Sequence, residues 1–169
     1  MAKDLENATL ARKEVGARIA LRMLRASHIM ERDANKIAQG AELTLQQWFL
    51  LQLLLDEGGT TSMGKMARFA TVTRQNVAAM VQRMVTMGVV TTARDPKDRR
   101  SALVTLTDEG KRRVEQSTPL RDRWTEEVFH GLSDADLQTA DRILRTLYRS
   151  VASRADPAES VKREPDTLW

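Results

Sequence analysis

The sequence predicts a mostly helical fold with one small β-hairpin, and three observations predict it. Apolar residues recur every three to four positions over much of the 169 residues, as one face of a helix requires. Two β-branched runs, VVTTAR and ALVTL, stand outside that pattern and are separated only by DPKDRRS. Serine or threonine precedes several helical stretches and glycine follows them, the punctuation that starts and ends helices. With 41% apolar content the chain buries one ordinary core and leaves helices over for a partner.

Over residues 10–39, Ile19, Met23, Ala26, Met30, Ala34 and Ile37 form a single stripe, and Gly40 closes the helix. Thr44 caps a second helix, whose Leu45, Trp48, Phe49, Leu51, Leu53, Leu54 and Leu55 make it apolar nearly all round, so it belongs at the centre of the core. Gly58 and Gly59 stop it. Thr61 or Ser62 caps a short third helix with an inner face of Met63, Met66, Ala67 and Ala70. After a break at Thr71-Val72, Thr73 caps a fourth, in which Val77, Val81, Met84 and Val85 face inward while Arg74, Gln75, Asn76, Gln82, Arg83 and Thr86 face out. Gly88 ends that helix and the hairpin follows.

Thr107 then caps a fifth helix, with Asp108 and Glu109 favourably placed in its first turn. Its apolar positions Val114, Leu120, Trp124, Val128 and Phe129 are irregular, and Pro119 predicts a kink or a break near Thr118. A sixth helix begins at Ser133, where Ser133-x-x-Asp136 resembles a capping box, and continues through Leu137, Ile143, Leu144, Leu147 and Val151. Residues 154–169, with two prolines and mixed charge, are expected to form a disordered tail.

The composition excludes several function classes. There is no cysteine, which removes disulfides, thiolate metal sites and thiol oxidation together, and the two histidines, His28 and His130, lack metal-type spacing. No metal or cofactor is expected. No run of about 18 apolar residues exists and no apolar signal region follows the N-terminus, so the chain is expected to be soluble and cytoplasmic. One motif invites an enzymatic reading: Gly59, Gly64 and Lys65 match G-x-x-x-x-G-K. A phosphate-cradling loop needs a buried strand before it and a Ser or Thr after the lysine to hold magnesium, whereas here a helical segment precedes and Met66 follows. With no nucleophile beside a base either, the chain is read as a non-enzyme.

Charge points to a different partner. Over residues 58–107 eight basic side chains stand against two acidic ones, net +6, while the remainder nets −2. A basic middle between near-neutral ends suits a polyanion. Two helices joined by a tight turn, the second showing arginine and amide side chains, meet the needs of a major-groove reader: arginine forks onto guanine, glutamine or asparagine onto adenine. The hairpin loop carries Lys97, Arg99 and Arg100, and cations on such a tip suit the narrow, electronegative minor groove.

Helix, helix-turn-helix and then DPKDRRSALVTLTDEGK resembles the winged helix-turn-helix of the MarR family of bacterial transcription regulators, over roughly residues 10–151. The resemblance implies a winged helix-turn-helix DNA-binding lobe at 44–107 and a helical dimerisation region made of 1–43 and 108–153. It places residues 73–76 in the major groove, Arg99 or Arg100 in the minor groove, and makes Asp98 the structural acid of the wing. Joined to the outward face read above, it gives Ser62, Thr73, Arg74, Gln75, Asn76, Arg83, Lys97, Arg99 and Arg100 as DNA-binding candidates. Ala78 and Ala79 stand where many relatives carry polar or basic side chains, which shifts base reading toward the helix start and the wing.

The apolar faces of the first helix and the last two exceed what the middle needs. A second copy of the chain around a twofold axis would cover them and set two recognition helices about one turn apart on a roughly palindromic double-stranded DNA operator. Family members bind small, often aromatic or anionic, effectors between the dimer helices and the DNA-binding lobe. By that resemblance Arg22, Arg25, Ser27 and His28 of the first helix and Trp48 of the second are effector-binding candidates, although Trp48 also suits the core. The expected function is a homodimeric repressor released by a small effector; the alternative is a winged-helix protein-interaction module without sequence-specific DNA binding.

Overall fold

The computed structural model describes residues 2–70, 72–96 and 101–155. Among these, six helices and three strands follow in the order α1 (Ala2–Gly40), α2 (Leu45–Asp56), β1 (Thr60–Ser62), α3 (Met63–Phe69), α4 (Arg74–Thr86), β2 (Val90–Arg94), β3 (Ala102–Leu106), α5 (Asp108–Phe129) and α6 (Asp134–Ala155). α1 begins upstream of the start that periodicity indicates. No helix among the described residues is long and apolar enough to cross a membrane.

α2 sits at the centre because its apolar residues leave it no polar face. Leu50, Leu51, Leu53 and Leu54 are all buried, packed with Met66 and Ala67 of α3, Val77, Val81 and Met84 of α4, Val104 and Leu106 of β3 and Val114 of α5. Its start is fixed by a reciprocal cap: Thr44 Oγ1 accepts from Gln47 N at 3.3 Å, and Gln47 Oε1 accepts from Thr44 N at 2.9 Å. Ile37, Ala38 and Ala41 tie the end of α1 into the same core.

The expected two-stranded hairpin gains a third strand. β1 pairs antiparallel with β3, Thr61 opposite Val104, so the strand order is β1-β3-β2. Three residues are too few to show alternation, and what creates the strand is the turn before it. Gly58 and Gly59 take φ of 73° and 94°, which turns the chain back so that Gly59 O accepts from Leu106 N at 2.8 Å.

Pro119 does not break α5, which runs through it. The missing N–H falls opposite the carbonyl of Glu115, an exposed residue whose carbonyl water can satisfy. The capping box at Ser133 forms as expected, with Ser133 N donating to Asp136 Oδ2 at 3.2 Å and Asp136 N donating to Ser133 Oγ at 3.3 Å.

The terminal helices leave much of their apolar faces bare. Ile19 and Met23 of α1 are 43% and 39% exposed, and Ile143 and Val151 of α6 are 46% and 67% exposed. Leu120 and Val128 of α5 are likewise open.

Candidate nucleic-acid interface

The helix-turn-helix is built from two capped helices. Ser62 Oγ accepts from Lys65 N at 3.2 Å to start α3, and Thr73 Oγ1 accepts from Asn76 N at 3.2 Å to start α4. No acidic residue occupies the first turn of α4, so the positive end of its dipole is uncompensated and attracts phosphate. Arg74, Gln75 and Asn76 are exposed on that turn, held from behind by the buried Val77. Gln82 and Arg83 are exposed further along the helix. Ala78 and Ala79 are exposed too, and their short side chains leave the backbone on this face of α4 open.

A second cation joins this face. The position a Cβ of Gly64 would occupy is 3.7 Å from Arg68 Nη1 and 3.9 Å from Arg74 Nη2, so two guanidiniums converge over the turn. Sequence reading counted Arg68 in the net charge but did not place it at the site; its only local signal was a basic residue in the last turn of α3. Lys65, by contrast, is drawn away into an ion pair with Glu57 at the end of α2. The residue after it, Met66, is fully buried in the core rather than aimed at a phosphate.

The wing stands on a rigid base. β2 and β3 pair from Val90↔Leu106 to Arg94↔Ala102, and Asp95 N donates to Ser101 O at 3.2 Å to close the described part of the hairpin. Arg94 is exposed at the end of β2. Lys97, Asp98, Arg99 and Arg100 lie outside the described residues. At the foot of the wing, Thr107 Oγ1 donates to Gly88 O at 2.7 Å and accepts from Gly110 N at 3.1 Å. Thr107 N donates to Val89 O at 3.1 Å. One threonine therefore joins the end of the recognition helix, the wing and the start of α5. The approach is close enough that a Cβ on Gly110 would lie 2.2 Å from Val89 O.

The effector candidates divide. Arg22, Arg25, Ser27 and His28 are exposed on α1, with Ser27 Oγ donating to Leu24 O at 2.9 Å within its own helix. Trp48 is only 2% exposed, and its Nε1 donates to Ser117 Oγ at 2.8 Å. Ser117 Oγ in turn donates to Val114 O at 2.6 Å, so Trp48 belongs to a buried polar relay between α2 and α5. Among the described residues no cluster of three or more His, Asp or Glu side chains is placed to hold a metal ion.

Residues 41–101, which contain α2, β1, α3, α4 and the first strand of the hairpin, match a family profile described as MarR family. Over that segment the chain is similar to the MarR family, and its fold is the winged helix that the solved MarR regulators share. It is 32% identical over 108 residues to the transcriptional activatory protein BadR of Rhodopseudomonas palustris, a match covering 63% of this chain and 62% of BadR. The likeness therefore spans less than two thirds of that relative's length. It is 28% identical over 122 residues to the HTH-type transcriptional repressor IacR of Pseudomonas putida, covering 72% of this chain and 70% of IacR. Among solved structures, the organohalide-sensing regulator RdhR-CbdbA1625 with bound 2,4-dichlorophenol matches at a TM-score of 0.74 and 15% identity over 90% of both chains, which shows the shared fold.

Proposed function

We propose that the protein is a cytoplasmic transcription regulator that grips a roughly palindromic operator as a homodimer and lets go when a small effector binds. The observation that carries this reading is the accessible Arg74-Gln75-Asn76 turn, backed by buried Val77 and flanked by Arg68, on a helix whose far end is bolted to the wing. Arginine and amide groups at a fixed helix start supply base recognition, and the uncompensated dipole supplies phosphate attraction. Arg99 or Arg100 extends the grip into the minor groove, and Lys97 adds to the positive charge that draws in the duplex.

The bare apolar stripes of α1, α5 and α6 support the dimer, since a second copy buries all of them at once. An effector acts only through its different affinity for two spacings of the reading heads, one matching successive major grooves and one not. The exposed Arg22, Arg25, Ser27 and His28 are its proposed polar contacts. The names of the two relatives divide between activator and repressor. Release on effector binding makes this chain a repressor wherever its operator overlaps a promoter.

The test is selection of bound fragments from the host genome, followed by binding titrations at several salt concentrations. Sequence-specific binding is expected, and replacing Arg99 and Arg100 with alanine should flatten the slope of log affinity against log salt by up to about two. Absence of sequence-specific binding would favour a protein-interaction module instead.

A further inference from the structure

Arg68 stands in the last turn of α3 and Arg74 opens α4, yet the tips of both reach back over Gly64 near the start of α3. A Cβ placed on Gly64 would find Arg68 Nη1 at 3.7 Å and Arg74 Nη2 at 3.9 Å, and nothing else within 4 Å from beyond its chain neighbours and the backbone of its own helix. Like charges that converge on one point repel, and elsewhere this chain gives such cations a carboxylate. Arg112 and Arg113 share Glu109, Arg145 bonds Asp141 at 2.9 Å, and Lys65, in the same helix as Arg68, is taken by Glu57. Among the described residues no carboxylate pairs with Arg68 or Arg74. None is at hand in the sequence either, since residues 58–94 contain no Asp or Glu although the chain has 23. Gly64 itself is not required by the fold. Its φ is not positive, a Cβ there would meet no backbone or core atom, and glycine inside a helix is disfavoured relative to alanine. What its bare Cα does is leave the space beneath two unneutralised guanidiniums open.

We infer that this space seats one phosphate of the DNA backbone, held by Arg68 and Arg74 together, and that base reading at the start of α4 falls to Gln75 and Asn76. The inference rests on the DNA-binding regulator argued above and divides the labour within its reading head. A guanidinium presents a planar fork of donors that matches phosphate oxygens, so two forks converging on one point suit a single phosphate better than two. A phosphate contact fixes where the protein sits on the duplex and carries no sequence information. With Arg74 turned back toward α3, the exposed groups left at the first turn of α4 are two amides. Glutamine and asparagine pair with adenine through N6 and N7, whereas a free arginine would choose guanine. The operator bases facing that turn are therefore adenines.

The experiment titrates the full chain onto its selected operator and onto a panel of single-substitution operators, at several salt concentrations. It compares wild type with Arg68→Ala, Arg74→Ala, the double variant and Gly64→Ala. Arg68→Ala and Arg74→Ala should each weaken binding by the same factor across the panel, leaving the ranking of operators unchanged. In the double variant the slope of log affinity against log salt should fall by about one, the signature of one phosphate. Gly64→Ala keeps every charge and should melt no lower than wild type, because its methyl makes only ordinary contacts and favours the helix. It should nonetheless bind every duplex more weakly, because the methyl takes up part of the seat. Exchanging A·T for G·C at the positions sensitive to Gln75→Ala or Asn76→Ala should cost about fivefold or more. A changed ranking with Arg74→Ala, centred on a guanine, would make Arg74 a base reader and overturn the inference. A slope change of about two would mean two separate phosphates, and unaltered affinity in Gly64→Ala or in the double variant would leave the space empty on DNA; either overturns it while leaving the regulator intact. Wild type that selects no operator removes the DNA-binding reading itself, and this inference with it.

Discussion

Replacing Gly110 with alanine is expected to destabilise the protein, although helix propensity alone says the opposite. Gly110 is the third residue of α5, and alanine in a helix interior is favoured over glycine by about 1 kcal/mol. Against that gain, the added Cβ would sit 2.2 Å from Val89 O and 2.6 Å from Leu106 Cδ1. Carbon and oxygen approach no closer than about 3.3 Å without strain, so the carbonyl must retreat by roughly 1 Å. It is poorly placed to do so. Val89 is fully buried, and its carbonyl accepts from Thr107 N at 3.1 Å. Overpacking of this kind costs about 1–3 kcal/mol, and a rigid backbone neighbour puts the case at the upper end. The net loss is then about 2 kcal/mol, or a fall of about 4–8 °C in melting temperature for a chain of this size. Calorimetric melting gives the first readout and operator affinity the second, because the displaced carbonyl belongs to the joint between the recognition helix and the wing. An unchanged or raised melting temperature would refute the reasoning and mean that the joint yields freely.

Other perturbations test the remaining links. Ser117→Ala leaves the Trp48 indole buried without its acceptor and should cost about 1–3 kcal/mol in chemical denaturation, less in a Trp48→Phe background; strictly additive losses would mean the relay contributes nothing as a pair. Hydrogen bonds from Arg112 and then Arg113 pull the Glu109 pKa from 4.5 to about 2. Because the folded value lies below the unfolded one, this contribution is complete above about pH 4.5 and is lost as pH falls toward 2. Glu109→Gln should flatten the acid limb of stability across that window, and a limb of unchanged slope would count against the pairing. Gln75→Ala or Asn76→Ala should lose about 1–3 kcal/mol at particular base pairs, measured on a panel of single-substitution operators. A uniform loss over the panel would mean that these side chains only position the backbone.

The parts of the fold legible in the sequence are those set by local chemistry. The caps at Thr44, Ser62, Thr73 and Thr107 act on donors only a few residues away, and the inward face of α4 follows from spacing alone. β1 was invisible because its three residues become a strand only by pairing with β3, distant in sequence. Arg68 was not singled out because its convergence with Arg74 depends on the angle of the turn rather than on either helix. Trp48 carried the same signal whether core or pocket wall, and only its bond to Ser117 shows how it is held. The wing cations were legible as composition, but their geometry lies outside the described residues.

The most direct test of the central claim is the mass of the protein alone and on one duplex carrying its selected site, measured by native mass spectrometry. Two copies free in solution and two copies on each duplex are the expected result. A single copy that still discriminates its site from unrelated DNA would contradict the account.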